Sequence, residues 1–215
     1  MLKSSLVLAA IICGWRLLWV VHAGAEGKPD NYFPLAVGNR WVYESSEGTE
    51  AEPVLEAWEV IRHEGNSFVV QIQQPFVTIG SLEEQFVVTS EGVQRRLPDA
   101  TTGEPQLQPI LKLPSTVSAS WQGADGHYTV TTVDEAVTVP AGTFTHCVEV
   151  TRFRKETKVT EIITYAPGVG IIQRDETFPV IGGFGDFETQ ARGHTVLRLK
   201  EWKTVNSQLP ATQSK

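Results

Sequence analysis

This sequence is poor in the residues that would give it a disulfide framework or a surface for nucleic acid. Its 215 residues include two cysteines, one methionine, and 18 basic side chains against 25 acidic ones. The formal net charge of −7 argues against a nucleic-acid-binding protein, which needs lysine and arginine to neutralise phosphates. Charged residues make up 20% and hydrophobic residues 41%, which argues against wholesale disorder and allows a core. At this length one domain is expected.

Long apolar runs are also missing, except at the N-terminus. There an apolar run follows Lys3, and Ala23 and Ala25 have the spacing of a signal-peptidase site. The pattern predicts a signal peptide over residues 1–25, with cleavage after Ala25, and hence a periplasmic or secreted protein. An uncleaved membrane anchor is the alternative, but Arg16 splits the run into pieces shorter than the roughly 20 residues of a span.

Cleavage at that site would leave the mature chain unable to form an internal disulfide. Cys13 belongs to the predicted signal peptide, so Cys147 would be the one cysteine left. Lipidation at Cys13 is not expected, because Ile12 stands where a lipoprotein signal has a small residue. Loss of Lys3 and Arg16 changes the balance to 16 basic and 25 acidic residues, a net charge of −9. Burial must then stabilise the exported domain, and about 190 residues are enough for that.

Six tryptophans, 12 prolines and alternating apolar residues favour strands and turns over helices in the remaining chain. Strand-like segments separated by turn signals cover residues 40–45, 54–62, 67–73, 84–89, 93–97, 128–139, 143–154, 159–165, 169–174 and 188–203. We predict an all-β domain over 26–204, with a single curved antiparallel sheet or partly open barrel of about ten strands. A flexible tail is predicted over 205–215.

Turn chemistry supports this division into strands. Gly65-Asn66 predicts a hairpin tip, and Ser90-Glu91-Gly92 predicts a second hairpin. Pro140-Ala141-Gly142 predicts a turn, and Pro167-Gly168 fits the central positions of a type II turn, where glycine accepts a positive φ. The stretch from Pro98 to Pro109 holds three prolines and a glycine and is predicted to be a loop. A short helix within 104–120 is left open.

A faint internal repeat is present. The octets 34–41 and 114–121 both carry Pro, Val and Trp at their first, fourth and eighth positions. Each octet precedes a run of strands, so the repeat predicts two similar starts of a meander, each anchored by a tryptophan. Coincidence in a tryptophan-rich chain is the alternative.

Several segments have the order of motifs found together elsewhere. They are Tyr32-Phe-Pro-Leu35, Gly38-Asn39-x-Trp41-x-Tyr43, Val139-Pro-Ala-Gly-Thr-Phe144 and Tyr165-Ala-Pro-Gly-Val-Gly170. Together they resemble a loose group of uncharacterised exported bacterial β-rich proteins with the motifs Y-F-P-L-x-x-G-x-x-W-x-Y, V-P-A-G-T-F and Y-A-P-G-V-G. The resemblance implies a curved antiparallel sheet or open barrel in the periplasm or outside the cell, distantly similar to the lipoprotein-carrier half-barrels. It implies no catalytic residue.

Patterns typical of catalysis or metal binding are absent from the sequence. His146 and Cys147 are adjacent, and on regular strand alternation they point to opposite faces, His146 together with Val148 and Cys147 together with Glu149. A partly buried structural cysteine is therefore expected. There is no H-x-H, C-x-x-C or G-x-S-x-G spacing, and the glycines at 182–185 lack the following lysine of a phosphate loop. We expect no cofactor, no metal site and no catalytic residue.

Two apolar segments stand out from the predicted loops. Thr177 to Phe187 joins two strand-like segments and is rich in phenylalanine and glycine, and Gln74 to Gly80 has the same character. Apolar loops either cover the core or offer a contact surface. As candidate ligand- or partner-binding residues we take Phe76, Phe178, Val180, Ile181, Phe184 and Phe187. The alternative is that both segments plug the end of the barrel permanently.

Three functions are consistent with these features. The first is an exported, non-enzymatic binding protein of the bacterial envelope that holds an apolar or lipid-like small molecule. The second is a structural or protein-interaction module of the envelope, with another envelope protein as its partner. The third is a hydrolase whose site converges from distant residues such as Cys147, His63, His127 and His194. No nucleic-acid partner and no stable membrane span after signal cleavage are expected.

Overall fold

The structure is a computed structural model that describes residues 32–47, 53–74, 81–98, 102–182 and 189–205. Its strands form one antiparallel sheet that is nearly closed into a barrel, which confirms the predicted fold class. The predicted signal peptide and all but the first residue of the predicted tail lie outside the described residues.

Twelve strands are present in the described parts of the chain. They are β1 (Arg40–Glu47), β2 (Val54–Glu64), β3 (Ser67–Gln73), β4 (Leu82–Thr89), β5 (Gly92–Pro98), β6 (Pro105–Lys112), β7 (Ser120–Gly123), β8 (Gly126–Val139), β9 (Gly142–Arg154), β10 (Val159–Ala166), β11 (Gly170–Gly182) and β12 (Thr189–Lys203). Their order in the sheet is β6-β5-β4-β3-β2-β1-β12-β11-β10-β9-β8-β7. Two six-stranded meanders, β1–β6 and β7–β12, are thus joined by the pairing of β1 with β12.

Strands β6 and β7 are the two edges of the sheet, and side chains bridge the seam between them. The indole Nε1–H of Trp121 in β7 donates to the carbonyl oxygen of Pro109 in β6, at 2.9 Å. The backbone N–H of Ala124 donates to the side-chain oxygen of buried Gln108. No backbone ladder joins β6 to β7 in the described chain. These side chains therefore bring the edges together without completing the barrel.

The predicted loop from Pro98 to Pro109 was wrong at both of its ends. Strand β5 continues to Pro98 and β6 begins at Pro105, so half of the segment, Pro98 and residues 105–109, is in strands. An edge strand tolerates proline because one side of its backbone needs no ladder hydrogen bond. Pro109 also lies beside a bulge, where the register of β5 and β6 shifts after Val93.

The helix left open within 104–120 is absent as well, because β6, turns and the start of β7 occupy those residues. In the described chain, no helix has the length and apolar character needed to cross a membrane. The four residues of β7 are too few to show an alternating pattern, which explains why it was not predicted.

The predicted turns are confirmed. Gly65 has φ +61° and Gly168 has φ +73°, as their places in the β2–β3 and β10–β11 turns require. Turns also lie at residues 90–91 and 140–141, each followed by a glycine with positive φ. Local sequence therefore set these four connections.

The internal repeat is confirmed by matching backbone geometry. The N–H of Gly38 donates to the carbonyl oxygen of Val60, and the N–H of Ser118 donates to that of Val130, both at 2.8 Å. The return bonds from Val60 and Val130 to the next residue of each octet are both 2.9 Å. Gly38 and Ser118, at the same octet position, both have positive φ, +92° and +71°. The two meanders therefore begin with the same local structure.

One end of the barrel interior is apolar and closed by the segment before β1. We call it the closed end. Phe33 is fully buried there, with its ring centre 6.0 Å from that of Trp41 and 5.2 Å from that of Phe86. The indole of Trp41 donates to the carbonyl oxygen of Val169 at 2.6 Å, and Tyr32 donates to that of His146 at 3.1 Å. Residues 32–39 thus seal this end.

Candidate functional site

The opposite end of the barrel, which we call the mouth, is where β3 leads to β4 and β11 leads to β12. Because all neighbouring strands are antiparallel, both connections leave the sheet at the same end. The described strand ends that flank the two apolar segments therefore lie at the same end of the barrel.

The segment from Thr177 to Phe187 is not a loop at its start. Residues up to Gly182 belong to β11 and pair with β12, with Phe178 opposite Gly193 and Val180 opposite Ala191. A Cβ atom on Gly193 would lie 2.3 Å from the Phe178 ring, so glycine leaves the room that the ring needs. The apolar residues of this segment that the structure describes, Phe178, Val180 and Ile181, therefore belong to a strand at the barrel mouth.

The remaining predicted site residues cannot be placed as fully. Ile181 is in β11, but its side chain lies outside the described residues. Phe76, Phe184 and Phe187 lie outside the described residues altogether. Their assignment to a ligand or partner site stays a prediction.

Apolar side chains face the barrel axis around the mouth and form what we call the rim. Phe178 and Val180 share a face with Arg174, because side chains in a strand alternate with a period of two. On β4, Leu82 likewise shares a face with buried Phe86. Leu82 is 52% exposed and Val180 is 40% exposed. The rim therefore presents apolar surface at the opening of the barrel.

A buried ion network lies farther from the mouth than the rim. Glu161, on β10, is fully buried and receives hydrogen bonds from the guanidinium of Arg174 at 2.8 and 2.5 Å. It also forms an ion pair with Arg152 of the neighbouring strand β9. Burial alone would raise the pKa of Glu161, but Arg174 and Arg152 outweigh it and lower that pKa to about 2. Glu161 is therefore an anion at neutral pH.

Asp125 forms a second centre of the network, in the β7–β8 turn. Its carboxylate accepts hydrogen bonds from Arg95 at 2.6 Å, Arg152 at 2.5 Å and the Tyr128 hydroxyl at 2.6 Å. Burial tends to raise the pKa of Asp125, but these three donors lower it. Arg152 thus links the two buried carboxylates, and Arg95 connects the network to the first meander.

A small cleft that opens to solvent lies against this network. Its walls combine ions with aromatic and aliphatic side chains: Trp58, Glu84, Phe86, Arg95, Ile110, Tyr128, Arg152, Glu161, Ile163, Tyr165, Ile171 and Arg174. The guanidinium of Arg174 lies 5.7 Å from the ring centre of Trp58, and that of Arg152 lies 6.0 Å from that of Tyr128. Each of these two cations thus lies close enough to an aromatic ring for a cation–π interaction.

Some donors in the cleft have no acceptor. The Nε–H groups of Arg95 and Arg152 are buried and have no hydrogen-bond partner among the described residues. The side chain of Arg152 is 4% exposed. A buried donor without an acceptor costs about 1–3 kcal/mol, so two such donors on arginines that line one cleft need an explanation.

The structure corrects the expected orientation of His146 and Cys147. Cys147 and Val148 are both buried, whereas His146 is exposed, so regular alternation fails here. His146 has φ +57° and lies at an irregularity in the pairing of β8 with β9, where its ring bonds to Asp134. Cys147 is nonetheless buried, and burial raises the pKa of its thiol, as expected for a structural cysteine.

In the described part of the chain, no group of three or more histidine, cysteine or acidic residues is arranged to hold a metal ion. None of the cleft-lining residues is a histidine or a cysteine. The convergent hydrolase site that would have used Cys147, His63, His127 and His194 is therefore not assembled in the cleft.

Sequence reasoning missed the ion network. The signal was present, because Arg152 follows Val148 and Val150 on one strand face, and Glu161 precedes Ile163 and Tyr165 on another. A charged residue in line with apolar neighbours marks a buried charge in a half-buried strand.

Comparison with known proteins shows the fold alone. No protein-family model and no curated protein matches the sequence. A candidate exported protein with a YmcC-like fold from Bacteroides fragilis superposes with a TM-score of 0.51 at 13% identity, covering 83% of this chain and 100% of its own. A candidate lipoprotein from Parabacteroides distasonis gives a TM-score of 0.47 at 12% identity, covering 80% of this chain and 98% of its own.

Proposed function

We propose that this protein is an exported, non-enzymatic binding protein of the bacterial envelope, and that it holds an amphiphilic ligand at the mouth of the barrel. The observation that carries the proposal is that β4 and β11 each carry, on the face that lines the charged cleft, apolar side chains nearer the mouth. An apolar or lipid-like part of the ligand packs on Leu82, Phe178 and Val180, and its polar part enters the cleft.

The layering of the barrel interior supports a ligand of mixed polarity. The closed end is filled by large side chains such as Phe33 and Trp41, which are fully buried. The open space lies where arginines and carboxylates form the walls. A wholly apolar molecule in the cleft would take the partly exposed side chains of Glu84, Arg95 and Arg174 out of water without adding a hydrogen bond to any of them, which is costly. An amphiphile avoids that cost because its polar end meets the ions.

Export is supported by two independent lines. The N-terminal residues have the charge, apolar run and small-residue site of a signal peptide. The fold likeness is to a protein described as a candidate for export. The absence of a possible disulfide in the mature chain is compatible with export, because this interior is large enough to be stabilised by burial.

The proposal is tested by calorimetric titration of the purified protein with dodecyl maltoside below its micelle concentration. We expect binding, and we expect the double variant Leu82→Ser, Val180→Ser to weaken it about ten-fold or more, since burial of each side chain contributes about 1–2 kcal/mol. Leu55→Ser is the matched control, because Leu55 is 47% exposed on the outer face of β2. An equal effect of the control, or no binding, would contradict the proposal.

A protein-interaction module remains the second candidate, because the exposed rim is also a suitable contact surface for an envelope protein. Deletion of residues 178–187 would be a poor test, since residues 178–182 are part of β11. Val180→Ser is preferable because it keeps the strand. Under this alternative, Val180→Ser abolishes capture of a defined partner while the unfolding midpoint and the affinity for dodecyl maltoside stay unchanged.

A further inference from the structure

The polar side chains that line the cleft are not fully paired. Arg95 and Arg152 each have a buried Nε–H without a hydrogen-bond partner among the described residues, and the Oε2 atom of Glu161 likewise lacks one, although it forms an ion pair with Arg152. All five donors of a guanidinium seek acceptors, and it has none of its own to offer. An oxygen-rich group that takes the place of Glu84 beside the arginines would supply acceptors, and its hydrogen bonds to cations would be stronger than neutral ones.

The three carboxylates next to these arginines differ in their burial and in the number of hydrogen bonds and ion pairs that hold them. The side chain of Glu161 is 1% exposed and contacts Arg152 and Arg174. Asp125 accepts from three donors at 2.6 Å or less. Glu84 is 22% exposed and makes one hydrogen bond, to Arg95 at 3.3 Å. Glu84 is therefore the carboxylate that a competing anion displaces with the least loss.

The charges around the cleft are also consistent with displacement of Glu84 by an anion. Arg95, Arg152 and Arg174 are balanced by Glu84, Asp125 and Glu161. When Glu84 turns out through the mouth, the cleft keeps one uncompensated positive charge. A single oxyanion replaces that lost charge and supplies oxygen acceptors at the same place.

The arginines are already positioned for such a ligand. Asp125 bonds to both Arg95 and Arg152 and so holds the two guanidiniums together. The ring of Tyr128 lies beside Arg152, and its hydroxyl bonds to Asp125. Side chains fixed before binding lose little conformational entropy on binding, which raises affinity.

We propose, building on the proposed function, that the polar part of the ligand is an oxyanion, a phosphate or carboxylate group, bound by Arg95 and Arg152 in place of Glu84. The apolar rim lies above this position, so the oxyanion enters as the headgroup of an amphiphile.

The test compares probes that differ in the headgroup. Dodecyl phosphate, dodecanoate, dodecyl maltoside and inorganic phosphate are titrated separately into the purified protein, the amphiphiles below their micelle concentrations. We expect the two anionic amphiphiles to bind at least about ten-fold more tightly than dodecyl maltoside. Inorganic phosphate, which has no apolar part, is expected to bind more weakly than dodecyl phosphate.

Variants then test the displacement. Glu84→Gln is expected to tighten binding of dodecyl phosphate about ten-fold, because the competing charge is gone. Glu83→Gln is the matched control, since Glu83 is the neighbouring acid on the outer face of β4 and pairs with Arg62. Arg95→Lys is expected to weaken binding about ten-fold, because lysine lacks the planar fork. Unfolding midpoints confirm that all three variants fold.

The pattern of results distinguishes the oxyanion proposal from the proposal that the protein binds an amphiphile. Equal affinity for anionic and neutral amphiphiles, with no effect of Glu84→Gln, would overturn the oxyanion site and leave the amphiphile proposal standing. Binding of inorganic phosphate that Glu84→Gln strengthens, with no binding of any amphiphile, would support the oxyanion site, identify a free anion as its source and overturn the amphiphile proposal. No binding of any probe would overturn both.

Discussion

The octets that begin β1 and β7 have the same hydrogen bonds, yet the strands that follow them are held in different ways. Strand β1 lies inside the sheet, between β2 and β12, with a backbone ladder on each side. Strand β7 has four residues, pairs with β8, and reaches β6 through side chains. The same local sequence pattern thus produced the same turn, while the place in the barrel decided how firmly each strand is held.

The two meanders also contribute differently to the interior. The first supplies Glu84 and Arg95, the pair that the oxyanion proposal treats as exchangeable. The second supplies Arg152, Glu161 and Arg174, which are tied together by charge-assisted bonds. The comparison therefore separates a fixed part of the ion network from a part that can respond to a ligand.

The largest effect is expected from removing the tryptophans of the two octets. Trp41→Ala should lower the free energy of unfolding by about 4 kcal/mol, because Trp41 is fully buried and bonded to Val169. Trp121→Ala should cost at least about 1 kcal/mol less, because Trp121 is 7% exposed at the seam, where the structure can relax. Urea denaturation measures both. Equal losses of unfolding free energy in the two variants would contradict the claim that the interior strand β1 is held more firmly than the edge strand β7.

A loss of unfolding free energy of intermediate size is expected at acidic pH. The pKa of Glu161 is about 2 in the folded protein and 4.5 without its partners, so between these values the unfolded chain binds more protons. Its stabilising contribution is complete above about pH 5 and is lost as the pH falls through 2, a change on the order of 3 kcal/mol. Urea denaturation across this range should show that decline, and Glu161→Gln should flatten it.

The matched control for the acid experiment is Glu201→Gln, since Glu201 is an exposed residue of β12. This variant should keep the wild-type dependence of unfolding free energy on pH. A decline that survives in Glu161→Gln would place the acid response outside the fixed part of the network.

The smallest changes in unfolding free energy are expected from substitutions at the positive-φ position of each octet, and their signs should be opposite. Gly38→Ala is expected to destabilise by about 1–2 kcal/mol, because φ is +92° there and a Cβ would lie 3.2 Å from Val205. Ser118→Gly relieves a serine with φ +71° and is expected to stabilise slightly, by about 0.5 kcal/mol. Thermal or urea denaturation decides the signs, and a destabilising Ser118→Gly would contradict the equivalence of the two sites.

Much of the fold was predictable because its signals are local. The Gly65-Asn66 tip and the Pro167-Gly168 turn depend on the conformational preferences of the residues themselves. Strand β6 was missed because the three prolines at 98–109 suggest a loop, and the preference of proline for an edge strand matters only once the strand order is known. The second half of β11, predicted as a strand only to Arg174, was missed likewise, since Phe178 needs Gly193 opposite it to fit.

The sequence by itself determined the strand periodicity, the turns, the repeated octet and the acidic balance, since each depends on neighbours within a few residues. Only the tertiary structure decided that Arg95, Asp125, Arg152, Glu161 and Arg174 meet in one ion network. These residues come from separate strands and a turn, and a buried charge is tolerated only when partners from elsewhere in the chain reach it. Their meeting depends on strand order and register, which no local pattern contains.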